Sequence, residues 1–237
     1  MNNNNNHSCC LNGGEIMNRI QDYKALRLLG DKYFRMEEYE KAVEAYKKAI
    51  SVNSSDSLSY FNLGIVLGKL KRDNEAVEAF KAALRYNPDD EVTLFNLGQA
   101  YCNNGQYAEA IDLLKKAAIL NPKNPVSLYY LGVAYNEISE YEEAIKSFKK
   151  SLKLNSKYSM TYYKLGMAFA AKGKYNEAIN NYKKAISIDD RFAQAYFDLG
   201  EVFMAKGNNK QALQSFTKAK ELDPGLVEEI DMIIEML

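Results

Sequence analysis

The chain has 237 residues, 47% of them hydrophobic, and its 31 Lys and Arg are matched by 31 Asp and Glu, so the formal net charge is zero. That length supports one large or two small domains, and the charge balance argues against a protein built to neutralise nucleic-acid phosphates, which needs a basic surplus. No apolar run approaches the roughly 20 residues of a membrane-spanning helix and the N-terminus lacks a basic-then-apolar signal pattern, so a cytoplasmic protein with neither nucleic acid nor membrane as partner is expected.

Residues 1–14 are low in complexity, with five successive Asn, and are expected to be disordered. They hold the only histidine, His7, and two of the three cysteines, Cys9 and Cys10. Three cysteines make no disulfide framework, and a chain without further histidine loses the usual means of binding zinc or activating a nucleophile. No phosphate-binding glycine motif is present either, so no catalytic residue, cofactor or metal is expected. Gly13 to Ile16 can be encoded by a purine-rich stretch resembling a ribosome-binding site, which makes Met17 a second candidate start beside Met1.

Beyond this lead-in, glycine recurs at 30, 64, 98, 132, 166 and 200, always 34 residues apart. Alanine follows each glycine by twelve positions, from Ala42 to Ala212. Leucine precedes each, and an aromatic or leucine follows at plus three and plus sixteen, as in Tyr33 and Tyr46 or Phe169 and Tyr182. Within each period, apolar residues step by three and four along two segments separated by a short polar break, which predicts two amphipathic helices. The third period predicts helices over 91–104 and 107–120, with Asn87-Pro88-Asp89 and Asn121-Pro122 as stops and new starts. The small residues suggest that the glycine of the first helix faces the alanine of the second. Asp73 and Asn209 stand where four other periods carry Tyr39, Tyr107, Tyr141 and Tyr175, which predicts looser packing in the second and sixth.

After the last period, Leu226, Ile230, Ile233 and Leu237 share one stripe and Glu228, Asp231 and Glu235 oppose it, as expected of a capping helix. Six acids and no base lie between Glu221 and Leu237, leaving six surplus positive charges before them. Paired carboxylates such as Asp89-Asp90 suit helix starts. The lysine pairs Lys47-Lys48, Lys115-Lys116, Lys149-Lys150 and Lys183-Lys184 read as a solvated outer face, or alternatively as a basic ridge for an acidic partner.

The Leu-Gly-x-x-Tyr, Ala, Phe/Tyr, Ala, Pro pattern at a period of 34 resembles the tetratricopeptide repeat (TPR). The resemblance implies an all-α, right-handed α-solenoid of six helix-turn-helix units and a C-terminal cap. Its units are residues 23–56, 57–90, 91–124, 125–158, 159–192 and 193–226, after an extension and lead-in at 1–22 and before a cap at 225–237. The first helices (A) of such units line a concave groove that binds an extended peptide or a helix of a partner. Carried over by position, the groove comprises Phe61, Asn62, Ile65, Phe95, Asn96, Gln99, Tyr129, Val133, Tyr163, Met167, Phe197 and Glu201. Leu58, Val92, Val126 and Met160 stand at the second positions of their units and add apolar surface. Lys24, Arg27, Asp31 and Arg35 mark one end, Asp198 and Glu201 the other.

The fifth-position aromatics have two readings, ligand contact and helix packing. Asn62 and Asn96 begin an asparagine ladder of the kind that grips peptide backbones in some TPR arrays, but it stops at Tyr130, Lys164 and Asp198. The expected function is a non-enzymatic scaffold for a partner segment with apolar or aromatic side chains, the chain itself being a monomer or a weak homodimer through the cap. A peptide-sensing regulator and a substrate-recognition subunit of a catalytic partner are the alternatives.

Overall fold

The computed structural model describes residues 13–235 and places helices where the 34-residue punctuation predicts them. In chain order these are α1 Gly13–Arg35, α2 Tyr39–Val52, α3 Ser57–Lys69, α4 Asp73–Tyr86, α5 Glu91–Asn103, α6 Tyr107–Leu120 and α7 Pro125–Glu137. They continue as α8 Tyr141–Leu154, α9 Ser159–Ala171, α10 Tyr175–Ile188, α11 Ala193–Ala205, α12 Asn209–Leu222 and, after a 3-10 turn at Pro224–Leu226, α13 Val227–Glu235. No strand occurs among the described residues. The expected disorder of residues 1–14 falls almost wholly outside them. The chain divides into two compact units, Met1–Asn104 and Gly105–Leu237. In the first, α1 pairs with α2 and α3 with α4, and α5 packs on α4. In the second, α6 packs on α7, followed by the pairs α7–α8, α9–α10 and α11–α12, with α13 against α12.

Every turn from an odd to an even helix contains one residue with positive φ: Glu37, Lys71, Gly105, Ser139, Gly173 or Gly207. At Gly173, its N–H donates to the Ala170 carbonyl and the Lys174 N–H to that of Phe169, a left-handed cap that satisfies the last carbonyls of the helix. Three of the six positions hold a non-glycine residue, so the turn is maintained by these bonds and by the helix pair it joins.

The repeated glycine meets a ring rather than the alanine. A Cβ placed on Gly30, Gly64, Gly132, Gly166 or Gly200 would lie 2.5–2.6 Å from Tyr46, Phe80, Phe148, Tyr182 or Phe216 respectively, the aromatic of the following helix. Each of these rings is buried, and so are Ala42, Ala76, Ala144, Ala178 and Ala212 beside them. The expected loosening appears in the second period as a cleft bordered by Asp73. In the sixth, Ala212, Phe216 and Ala219 stay fully buried.

Helix starts follow the sequence reading where an acceptor is present. Asp56 accepts from the Ser59 N–H and hydroxyl at 3.2 and 2.5 Å, Asp90 accepts from the Thr93 N–H at 2.9 Å and from its hydroxyl, and Asn124 accepts from the Val126 and Ser127 N–H groups. At the start of α9 the equivalent residue is Tyr158, which caps nothing, and the fully buried Thr161 hydroxyl has no hydrogen-bond partner.

Two stability outcomes follow. Gly132→Ala drives a Cβ into Phe148 and is expected to destabilise the second unit by about 1–3 kcal/mol in urea unfolding; an unchanged midpoint would show that the ring moves aside freely. Tyr158→Asp supplies the missing cap and a partner for Thr161, and is expected to stabilise by about 1 kcal/mol in the same measurement; no gain would mean that the orphaned hydroxyl is already satisfied.

Candidate protein-interaction surface

The twelve residues assigned to the groove fall on α3, α5, α7, α9 and α11, six in each compact unit. Their side chains divide into two sets. The aromatics turn toward the partner helix: Phe61 lies 5.9 Å from Phe80, Tyr129 6.0 Å from Phe148, Tyr163 5.9 Å from Tyr182 and Phe197 5.7 Å from Phe216, centroid to centroid. Tyr163 and Phe197 are only 7% and 6% exposed, so they are core residues with no face for a ligand. Phe61, Phe95 and Tyr129 are half-buried. Val133 and Met167 are also half-buried, against the core of the second unit.

More apolar surface stands at the second positions. Leu58 is 46% exposed, Val92 48% and Met160 40%, and each begins the accessible stripe of its helix. The geometric reason is that one residue in the first helical turn points past the partner helix, whereas the fifth position sits directly over the buried ring.

The polar members of the set are engaged with the chain itself. Asn62 donates to Asp31 at 2.9 Å, and that same carboxylate oxygen accepts from the Tyr46 hydroxyl at 2.7 Å. Burial and the bond to Asp31 hold the Tyr46 phenol well above its ordinary pKa. Arg27 forks onto Asp56 at 2.9 and 3.0 Å, tying α1 to the start of α3. Asn96 donates to the Val92 carbonyl at 2.7 Å within its own helix. The charges read as one end of a groove are therefore largely a structural network.

In the second unit, Asp198 is buried on α11, accepting from Gln194 at 2.8 Å and from the Tyr163 hydroxyl. Burial pushes its carboxyl up, with those two bonds and the charge of Lys164 acting against the shift. Glu201, one turn on, is raised by burial and by the charges of Asp198 and Glu229.

One lysine in each of three of the four pairs, and Lys81 besides, is not simply solvated. Lys81, Lys115, Lys149 and Lys183 lie 5.4–5.7 Å from the ring centres of Tyr101, Tyr135, Phe169 and Phe203, each in the following period. This recurring cation–π contact is absent from a count of charges, but its signal is in the sequence: lysine and ring are always 20 residues apart.

One cleft is also present in the first unit, of about 730 Å³. It brings together three of the twelve residues, Ile65, Asn96 and Gln99, with Gly68 and Asp73. No group of three or more potential ligands suited to a metal occurs among the described residues, and no described helix is long and apolar enough to cross a membrane.

Comparison with known proteins matches a TPR repeat model over residues 30–71, 134–173 and 166–207, and a tetratricopeptide repeat model over 193–226. Residues 69–151 match the model for anaphase-promoting complex, cyclosome, subunit 3. The crystal structure of MamA is similar at 32% identity and TM-score 0.65, over 70% of this chain and 97% of that one. The chain belongs to the tetratricopeptide repeat family. Two further TPR-like likenesses extend over more of it and speak for the fold alone. YrrB, described as a TPR protein with an unusual peptide-binding site, is 24% identical with TM-score 0.68 over 82% of this chain and all of that one. PilF of Pseudomonas aeruginosa is 21% identical with TM-score 0.74 over 92% and 99%. No curated protein sequence matches.

Within this TPR chain the raised carboxyl of Asp198 has a definite consequence. A carboxylic acid whose folded pKa exceeds its unfolded value binds more protons when native, so its ionisation lowers stability as pH rises through the folded pKa. Asp198→Asn keeps an acceptor for Gln194 and Tyr163 and removes the buried charge. It is expected to raise stability at pH 7 by about 1 kcal/mol, with the difference from wild type shrinking as pH falls toward the ordinary carboxylate range. A lower melting temperature for the variant at pH 7 would show that the ionised form is better solvated than its burial indicates.

Proposed function

We propose that this TPR chain is a protein-interaction scaffold that holds an extended segment or a helix of a partner protein against the exposed faces of its odd-numbered helices. The observation that carries the reading is the apolar surface left open at the same position of three repeats, Leu58 and Val92 in the first unit and Met160 in the second. Such side chains are not needed to close the core, because the rings behind them already do so. A partner segment that covers them gains apolar burial at about 25 cal/mol per Å², and a micromolar complex, about −8 kcal/mol, is within reach of a few such contacts. Family members are typically non-catalytic scaffolds, and that is the role proposed for this chain. The peptide-binding site named for YrrB lends support by analogy.

The test uses twelve-residue peptides selected by display against the full chain, with the best binder measured by fluorescence anisotropy. Leu58→Asp with Val92→Asp places two charges on the proposed contact face without touching the core. The expected result is at least tenfold weaker binding with unchanged helical circular dichroism. Equal affinity for wild type and the double variant would overturn the assignment of this face. The buried aromatics are poor test positions, since Tyr163→Ala would remove core packing together with any contact.

A further inference from the structure

The second repeat departs from the others at two places that face each other, and the cleft of about 730 Å³ opens between them. In the first repeat the corresponding residues are Phe34 and Tyr39, whose rings pack 5.8 Å apart across the turn joining α1 to α2. The fourth and fifth repeats keep the tyrosine, as Tyr141 and Tyr175, and the sixth keeps a bulky Met204. The second repeat alone has neither: Gly68 stands in place of Phe34 and Asp73 in place of Tyr39. A Cβ on Gly68 would meet nothing within 4 Å, in contrast to 2.6 Å at Gly64 one turn earlier. The ring of Tyr39, which recurs as Tyr107, Tyr141 and Tyr175, is thus absent from the second repeat, together with the second ring that the first repeat adds as Phe34.

We infer that this cleft is a receptor slot for an aromatic side chain of a partner, a phenol above all, which takes the place of the missing ring pair. The surroundings suit that chemistry. Phe80 and Ala76 form an apolar floor, and Asn96 and Asn103 flank it on α5. Asp73 offers an acceptor for a phenolic hydroxyl. Lys69 and Lys71 border the slot and make no ion pair among the described residues, so their charges are available to the negative face of a ring, as other lysines of this chain are to Tyr101 and Tyr135. The volume lies in the range of small-ligand pockets, roughly 300–1,000 Å³. The inference rests on the scaffold reading above and adds to it one anchoring position and the residue class that occupies it.

The experiment titrates the isotope-labelled full chain with p-cresol and with N-acetyl-tyrosinamide, following the backbone amide signals of Gly64, Gly68 and Asn103. Cyclohexanol and N-acetyl-alaninamide serve as controls. Saturable shifts at these amides with millimolar dissociation constants are expected for the two phenols, and at least tenfold weaker ones for the controls. Gly68→Phe with Asp73→Tyr rebuilds the ring pair of the first repeat, and should raise the melting temperature and abolish the phenol shifts. Should that pair fail to fold, Gly68→Met alone fills the slot from an open position and is expected to weaken phenol binding at least tenfold.

Absence of saturable shifts, equal binding of cyclohexanol, or shifts that survive filling of the slot would each overturn the inference. The fate of the scaffold reading is separable. A selected peptide that binds wild type and the filled variant equally, yet is lost on Leu58→Asp with Val92→Asp, leaves the scaffold standing and removes the slot.

Discussion

Five of the helix pairs are organised by an aromatic ring lying directly on the backbone of a glycine. At Gly132 and Gly166 the space a Cβ would take is occupied by Phe148 and Tyr182, so the two helices approach as closely as a ring permits. Other features follow from that distance. The fifth-position aromatic of the first helix finds the same ring within 6.0 Å and packs on it. The turn between the helices is forced to be short and takes one left-handed residue even where that residue is Glu37, Lys71 or Ser139. The first helix then has only a narrow strip left for solvent, which is why its accessible apolar surface is confined to positions such as Leu58 and Met160.

Because each repeat contacts mainly its neighbours, a departure from the pattern stays local instead of unravelling the fold. Tyr158 in place of an acceptor leaves one orphaned hydroxyl on Thr161, while the next turn of α9 packs normally. Asp198 brings a carboxylate into a buried position and is met by two neutral donors. Gly68 and Asp73 leave a cleft above a Phe80 that remains fully in place. The regular positions build the helix pairs, and the irregular ones are where one repeat of this chain differs chemically from the next.

The helices were legible in the sequence because their ends are written in residues with a single physical meaning. Asp90 before Glu91 reads as a cap and is one, and the break predicted between 104 and 107 holds the left-handed Gly105. Side-chain direction was harder to read. Positions two and five of the first helix are both apolar in the second to fifth repeats and lie on adjoining faces, and steps of three and four residues do not say which face meets the partner helix and which meets solvent. Phe197 was therefore assigned to a groove and is found in the core, whereas Val92 carries the exposure. The sequence places Arg27 and Asp31 at one end of a groove but does not show their partners, Asp56 at the start of α3 and Tyr46 on α2, which only the fold brings near. The cleft had a signal in the sequence, the coincidence of Gly68 with Asp73, but its meaning depends on knowing that positions twelve and seventeen touch across the turn, as Phe34 and Tyr39 do.

The zero net charge, taken apart by position, bears on which face recognises a partner. On the even-numbered helices the recurring lysines are committed to rings of the next repeat, and Lys220 is paired with Asp231 of the cap. Those cations are held by the fold and are less free to rearrange around a ligand. On the odd-numbered helices the situation differs between the units. In the first, Arg27 is paired with Asp56 and the Asp31 carboxylate accepts from the neutral Tyr46 and Asn62, while Lys69 and Lys71 have no ion pair among the described residues. In the second, Asp198 and Glu201 carry raised carboxyls with no cation bonded to either among the described residues, though the charge of Lys164 acts on Asp198. A charge that the fold does not satisfy interacts more strongly with a newcomer than one already paired, because no existing contact must first be broken. By that criterion the odd-numbered helices and the turns that follow them are the chemically open part of each unit, independently of where their apolar side chains stand.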